Sequence, residues 1–356
     1  MYKIKYFSNL SIKDLNTFRV DLTAKKIIFI KNIKSLIYIL QICKLYQIPH
    51  LILGEGSNVL FLKNYQGIII VNRIKGIKIV EKSNNWLLHV FSGEKWHDLV
   101  KYTLNLGILG LENSALIPGC IGSAAIQNIG AYGLEFKDVC HYVDVMSFKN
   151  NSIIRMNKNS CKFSYRNSIF KNQYYSECVV IAVGIKLSKK WQPLIFSELE
   201  NHMKPKFISA HQIFNIVSKI RTKNLPNLKK IGNAGSFFKN PIIKKKHAEK
   251  LICLYNIPYY PQSDGLIKIS GGWLIEHCNL KNIQIGDAAI YQKKKLILIN
   301  KKKATPQEIL QLAQIIYRHV LKKFNIHLEP EVDFIGSIKK IKTSDLFTLK
   351  NKKIIY

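Results

Sequence analysis

Residues 117–133, I-P-G-C-I-G-S-A-A-I-Q-N-I-G-A-Y-G, set four glycines among small and amide side chains. The stretch carries no charge, in a chain with 55 Lys and Arg. Glycine has no Cβ to hold a ligand away and presents its N–H directly, so bare backbone of this kind suits the close approach of a large planar or phosphorylated group. A tight crossover between two strands would use the same residues, and the local sequence admits both readings. A second turn, Gly54-Glu55-Gly56-Ser57-Asn58, starts like a dinucleotide fingerprint and then departs from it. The third glycine, needed for helix packing, is replaced by Val59, and the residues that follow are β-branched. Between two strands such a turn still offers several N–H groups and a hydroxyl to phosphate, as a nest. A third turn, I-G-N-A-G-S-F-F-K-N-P at 231–241, carries Ser236. It is not a nucleophile elbow, because Ala234 and Phe238 stand where G-x-S-x-G needs glycine. Glu329 and Glu331 lie two apart in 328–335, which reads as a strand, so they are expected on one side of it.

The elements around these turns describe an α+β chain. Strands at 27–30 and 51–53 flank a helical pattern at 33–46 that Pro49 ends, a β-α-β opening. Strands follow at 59–61, 68–71, 77–80 and 86–91, then a helix from about 94 with Trp96, Leu99, Val100 and Leu104 on one face. Strands at 142–148 and 179–187 bracket F-S-Y-R-N-S-I-F at 163–170. A linker is expected over 191–205 and a helix over 210–220. Thr305-Pro306-Gln307-Glu308 is a helix start, with Thr as N-cap, Pro at the first position and Glu at the third. The helix runs to about Phe324, and residues 337–356 read as a basic tail without a role.

Composition narrows the function classes. The 356 residues allow two or three domains, and 47% apolar residues allow a sizeable core. The net charge of +33 points first to nucleic acid or a membrane surface. The lysines are spread along the chain with many Ile and Asn, however, as a compositional drift would leave them, and a solvated surface that favours anionic small ligands accounts for them. Seven cysteines without a C-x-x-C pair favour neither a disulfide scaffold nor a zinc site, so no metal is expected and a reduced, cytoplasmic chain is. No apolar run reaches the ~18 residues of a membrane span.

Six ordered strings resemble the UDP-N-acetylenolpyruvoylglucosamine reductase (MurB) family: L-I-L-G-E-G-S-N-V-L-F (51–61), G-L-E-N-S-A-L-I-P-G-C-I-G-S (110–123), Q-N-I-G-A-Y-G (127–133), F-S-Y-R-N-S-I-F (163–170), N-A-G-S-F-F-K-N-P (233–241) and L-E-P-E-V-D-F-I-G (328–336). The resemblance implies a vanillyl-alcohol-oxidase (PCMH)-type FAD-binding domain over 1–190, in subdomains of about 1–75 and 76–190, and a C-terminal α+β substrate-binding domain over 191–336. It implies an NADPH-dependent flavoprotein oxidoreductase of peptidoglycan precursor synthesis, and hence of cell-wall biogenesis, cell shape and cell division. UDP-N-acetylglucosamine enolpyruvate would become UDP-N-acetylmuramate, by hydride addition at the vinyl carbon and proton addition at its neighbour. The implied partners are the UDP-sugar and NADPH, with no nucleic acid, membrane or obligate protein partner.

Carried over position by position, the resemblance makes Ser236 the proton donor and Arg166 and Glu331 its electrophilic partners. Hydride addition leaves negative charge delocalised into the substrate carboxylate; a guanidinium matches a carboxylate with a two-pronged fork, and Glu331 can assist if it is protonated or through a hydrogen bond that polarises a neighbour. For FAD the resemblance implies Gly54, Glu55, Gly56, Ser57, Asn58, Pro118, Gly119, Gly122 and Ser123 near the diphosphate and the ring. Gln127, Asn128, Ile129, Gly130 and Ala131 would lie beside the ring. Tyr132, Asn240, Tyr260 and Lys268 match substrate-binding positions. Two rivals remain: a flavin oxidase of a sugar alcohol or lactone, which would need neither A-G-S nor L-E-P-E, and a basic nucleic-acid-binding protein.

Two positions depart from the family pattern. Its tyrosine after W-Q-P is replaced by Phe196 or Ser197, and its lysine before L-P by Asn224, with Lys223 one place earlier. Both changes touch recognition of the substrate diphosphate. Phe196→Tyr or Ser197→Tyr should therefore lower the KM for the UDP-sugar with little change in kcat; steady-state kinetics unchanged in both variants would contradict this.

Overall fold

The run 178–187, C-V-V-I-A-V-G-I-K-L, is apolar almost throughout because both of its faces are covered. In the strand Cys178–Ser188, Val180, Val183, Ile185 and Leu187 pack with Leu88, Val90, Trp96 and Phe136, while Val179 and Ile181 pack with Ile28, Leu36 and Ile70. This is a computed structural model, which describes residues 6–347 apart from 172, 173, 175, 176, 197–207, 263, 264, 281 and 282.

The chain divides into two units. The first consists of Met1–Ser8, Lys26–Gly56 and Gly67–Asn224. One of its cores holds the expected β-α-β: helix Ile33–Leu45 joins strands Thr23–Ile30 and His50–Leu53, Tyr65–Asn72 lies between those two strands in the sheet with His50 opposite Ile68 in a parallel pair, and the helix buries Leu36, Ile39, Leu40 and Cys43 in this core. Asn32 caps that helix, its side chain accepting the Ser35 N–H at 2.8 Å. The other core lies under an antiparallel sheet ordered Ile153–Asn157, Cys140–Ser147, Cys178–Ser188, Asn85–Phe91, Ile77–Glu81. Helix Trp96–Asn105 buries the predicted Trp96, Leu99 and Val100 against it, and Leu104 is buried as well.

The second unit collects Asn9–Lys25, Ser57–Gln66 and Leu225–Tyr356. Helix Pro306–Phe324 starts at a capping box in which the Thr305 hydroxyl accepts the Glu308 N–H at 3.2 Å and the Glu308 carboxylate accepts the Thr305 N–H at 3.0 Å. Its buried stripe is Ile309, Leu312, Ala313, Ile316, Val320 and Phe324. Strand Val59–Phe61 runs parallel to Asp333–Ile335. Phe18, Phe237, Phe238, Phe334 and Phe347 form a chain of ring contacts with centroids 5.0–6.3 Å apart.

Three expectations differ from this picture. The change of unit falls after Asn224 and not at 190/191, because Trp191 donates its indole N–H to Glu112 at 2.5 Å and helix Ala210–Asn224 packs Ile213 and Val217 on Ala115. The strand expected over 328–335 is regular only at Asp333–Ile335: Pro330 has no N–H to donate to a ladder, and Glu329 is drawn off by Lys239 at 2.6 Å. Part of the supposed tail is folded: Lys340–Ile341 pairs with Phe334 and Ile335, Lys340 meets Asp333 at 2.7 Å, and Phe347 is buried on Phe238 and Phe334. Phe347→Ala should cost about 3–4 kcal/mol of stability in urea unfolding, whereas Ile338→Ala, at a half-exposed position, should stay within about 0.5 kcal/mol.

Candidate active site

Arg166 stands at the tip of a two-residue turn. Ser164 and Asn167 exchange backbone N–H···O bonds of 3.0 and 3.1 Å, and Arg166 between them takes φ +53°. A non-glycine residue in that region is disfavoured by about 1–2 kcal/mol, so the turn has to be held from outside. Asn128 holds it: Nδ2 donates to Ser164 O at 3.0 Å and to Glu135 Oε2 at 3.0 Å, and Oδ1 accepts the Lys137 N–H at 2.9 Å. Ser168 adds a second tie, its hydroxyl donating to Ile126 O at 2.6 Å. Asn128 has no exposed surface. Expected beside the flavin ring, it is instead a buried brace joining 127–133 to 163–170, with its amide already committed and none of its surface open to a ligand.

Tyr132, also at positive φ, is fixed through its carbonyl by Asn113 Nδ2 at 2.9 Å, and the same amide donates to Leu194 O at 2.9 Å. The Phe196 ring lies 4.8 Å from the Tyr132 ring, while Ser197 is outside the described residues. Arg221 hydrogen-bonds with Tyr132. Burial first, and then the neighbouring Arg166 charge, lower the proton affinity of Arg221, with Tyr132 opposing them; an arginine stays cationic regardless. Arg221 Nε is buried without a hydrogen-bond partner among the described residues. Two neighbouring guanidiniums with a buried donor to spare make a place for an anionic group.

The glycine turns meet in the first unit. A Cβ on Gly54 would lie 2.3 Å from Cys120 Sγ, so the backbone reaches the 118–123 turn only as glycine. Gly119 takes φ +109°, and its carbonyl accepts the Trp96 N–H at 3.0 Å. Within the stretch, Ile121–Gln127 is a short helix whose start is closed by Ser123 Oγ, accepting from Cys120 N–H at 3.1 Å and donating to Cys120 O at 2.7 Å. Gly122 is required by packing, as a Cβ there would press on Ser92 at 3.0 Å. Beside Gly54, Arg73 donates to its carbonyl at 2.9 Å, and Glu55 is bracketed by Arg73 at 3.2 Å and Lys95 at 3.5 Å. Close-approaching backbone with two cations next to it fits the diphosphate of a dinucleotide cofactor.

In the second unit Ser236 follows Gly235, which takes φ +70° and gives its N–H to Asn233 Oδ1 at 3.0 Å. The buried Phe237 and Phe238 pin the segment from the core side. It is paired on both sides: Phe237 N–H to Leu296 O at 2.7 Å, and Glu331 N–H to Phe237 O at 2.8 Å. The backbones of the two expected catalytic residues of this unit are therefore neighbours. Asn58, expected at the cofactor, is buried here and donates to the Glu331 carbonyl at 3.0 Å. Tyr260 and Lys268 face each other across strands Tyr259–Pro261 and Leu266–Ile269, with Lys268 Nζ 5.4 Å from the Tyr260 ring, and Asn240 Oδ1 accepts the Gly271 N–H at 2.9 Å. Among the described residues no three His, Cys, Asp or Glu side chains gather as a metal site.

A family model described as an FAD-binding domain matches residues 24–157, and one described as UDP-N-acetylenolpyruvoylglucosamine reductase, C-terminal domain, matches 226–335. With the glycine cradle, these define a flavoprotein reductase. The UDP-N-acetylenolpyruvoylglucosamine reductase of Buchnera aphidicola from Acyrthosiphon pisum is 71% identical over 352 residues, 99% of each chain. That of Escherichia coli K12 is 47% identical over 330 residues, 92% of this chain and 96% of the other. The chain belongs to the UDP-N-acetylenolpyruvoylglucosamine reductase family. The crystal structure of the Thermus caldophilus MurB shares its fold, with TM-score 0.64 and 22% identity over 94% of this chain and all of that one.

Sequence reading alone passes over Arg221, Asn113 and Glu112. Arg221 leaves one signal: it stands four residues after Val217 and eight after Ile213, on the apolar stripe of its helix, where a charge needs a reason. Asn113 and Glu112 leave none, because their partners are distant backbone and indole groups. Asn128→Ala removes the brace under the Arg166 turn and strands the Ser164 carbonyl and the Lys137 N–H. It should cost about 2–3 kcal/mol in urea unfolding at pH 7; a loss under about 0.5 kcal/mol would show that the turn stands without it.

Proposed function

We propose that the chain reduces UDP-N-acetylglucosamine enolpyruvate to UDP-N-acetylmuramate with NADPH, as the reductase step of peptidoglycan precursor synthesis. Identity of 71% over 99% of the chain with a reductase of that name carries the proposal. When bound, FAD supplies the hydride chemistry. The chain's own residues hold the substrate, polarise it and deliver the proton.

Arg166 takes the enolpyruvyl carboxylate and stabilises the charge that builds there as hydride arrives. Its left-handed turn, fixed through Asn128, aims the guanidinium before substrate enters, so little reorganisation is left for the reacting state. Arg221 beside it strengthens the local positive potential. Ser236 gives its hydroxyl proton to the carbon next to the one that receives hydride. A hydroxyl is a weak acid in water, and it donates here because it is held beside a strongly basic carbanion on a segment paired on both sides. Glu331 is the second electrophilic partner for the same charge. Tyr132, Asn240, Tyr260 and Lys268 bind the UDP-sugar, with Phe196 or Ser197 standing in place of the family's tyrosine at the diphosphate. NADPH and the UDP-sugar alternate, as both bring a diphosphate. The reaction belongs to the cytoplasm; among the described residues no helix is long and apolar enough to cross a membrane.

NADPH oxidation by the purified protein should require UDP-N-acetylglucosamine enolpyruvate; oxidation at the same rate without it, with oxygen consumed, would favour the oxidase reading. In Ser236→Ala, NADPH should still bleach the bound flavin at the wild-type rate, while recovery of its colour on adding the enolpyruvyl substrate slows by about 10²–10⁴-fold. Rapid-mixing absorbance reads both halves, and normal recovery would take the proton from another group.

A further inference from the structure

The turn 116–119 is clipped at both ends by consecutive residues of one helix start. Trp96, first residue of helix Trp96–Asn105, gives its N–H to Gly119 O at 3.0 Å. His97, the next residue, accepts the Leu116 N–H on Nδ1 at 3.0 Å. Leu116 takes φ +58° and Gly119 φ +109°, so both ends of the turn are in backbone conformations that need outside support. The His97 ring cannot swing away freely, because Phe214 of helix Ala210–Asn224 lies parallel to it, with interplanar angle 8° and centroids 5.9 Å apart. Ala115, before Leu116, is buried against Ile213 and Val217 of the same helix.

We propose that His97 is a positioning residue for the flavin: its unprotonated Nδ1 sets the 116–119 turn, and with it the glycine turn laid against the cofactor. The inference rests on the reading that residues 118–123 face FAD. An N–H donor at Leu116 fixes the tautomer, so the ring proton sits on Nε2. Protonating Nδ1 would set two donors against each other and release Leu116. The charged groups facing the ring are Lys101 and Asp98 on its own helix and Arg221 from the helix carrying Phe214. Glu112, on the segment leading into the turn, is committed to Gly110 N–H and the Trp191 indole. Burial most of all, with Lys101 and Arg221, holds His97 below its usual range against Asp98. The neutral ring therefore persists at neutral pH, and the tie is lost only as pH falls through the lowered folded-state value, below the usual histidine range.

The test is FAD affinity of the full-length protein by fluorescence titration from pH 7.5 down to 4.5, beside circular dichroism and thermal melting. His97→Leu removes the acceptor and should weaken FAD binding about tenfold at pH 7.5. His97→Asn, which places an amide oxygen where Nδ1 was, should bind within about threefold of wild type. Wild-type affinity should fall toward the acid end of that range, and the Asn variant, with nothing to titrate there, should lose that fall. Wild-type affinity in His97→Leu, or equal weakness of the Leu and Asn variants, overturns the proposal. Should the Leu variant not fold, the pH profiles of wild type and His97→Asn decide, and identical profiles overturn it. Gly119→Val separates the proposal from the reading beneath it: loss of FAD there with none in His97→Leu removes only the role of His97, while wild-type binding in both removes the loop reading as well.

Discussion

The Asn128 amide is the interaction on which the expected chemistry of the first unit depends. Through it, a residue at the end of one short helix sets the turn that carries Arg166, in a backbone conformation that arginine would not hold unaided. The same device recurs wherever an irregular segment has to keep a shape. Asn300 ties Phe18 O, Lys302 N–H and Ala304 N–H; Asn233 forms the turn before Ser236; Asn16 ties the Ile12 and Val20 carbonyls; Asn72 joins Ser92 to Ile74 N–H. All are buried. A carboxamide can donate twice and accept twice without bringing a charge, which lets one side chain replace several missing ladder bonds in a dry loop.

That device also marks where sequence reasoning stops. Periodicity announces the elements with local causes: the β-α-β opening, the Trp96 helix face and the Thr305–Glu308 cap each depend on residues a few positions apart. The braces depend on partners far away in the chain, such as Asn113 with Leu194, and have no periodic signature. The abundance of asparagine reads as compositional drift, and that reading hides the residues that fix the loops. Asn128 shows the same gap from the other side, since its place in a motif located it beside the expected cofactor turn without revealing that it lies beneath the surface. The strand expected over 328–335 shortened for a reason already visible as Pro330, and the folding of 337–347 needed knowledge of what Phe347 would meet.

Charge follows a comparable division. The chain has 55 basic residues and 22 acidic ones, so acids are the scarce partner. Several are spent on shaping backbone: Glu112 accepts from Gly110 and Trp191, Glu308 from Thr305, and Asp144 holds Arg155 with two bonds of 2.8 Å. The unmatched positive excess is left to the surface and to the Arg166–Arg221 neighbourhood, where a field of that sign draws in ligands bearing phosphate and carboxylate.

The second unit gathers its core from three separated pieces of chain. Phe18, fully enclosed in the finished fold, bonds through its carbonyl to Asn300, 282 residues later. At a synthesis rate of roughly 5–20 residues per second that interval is about 15–60 s. Throughout it, the apolar side chains of Ile12, Phe18 and Val20 have emerged from the ribosome before their companions exist. Loop closure over such a distance makes folding slow by topology alone, and the nascent chain needs shelter from aggregation until its last third has been translated.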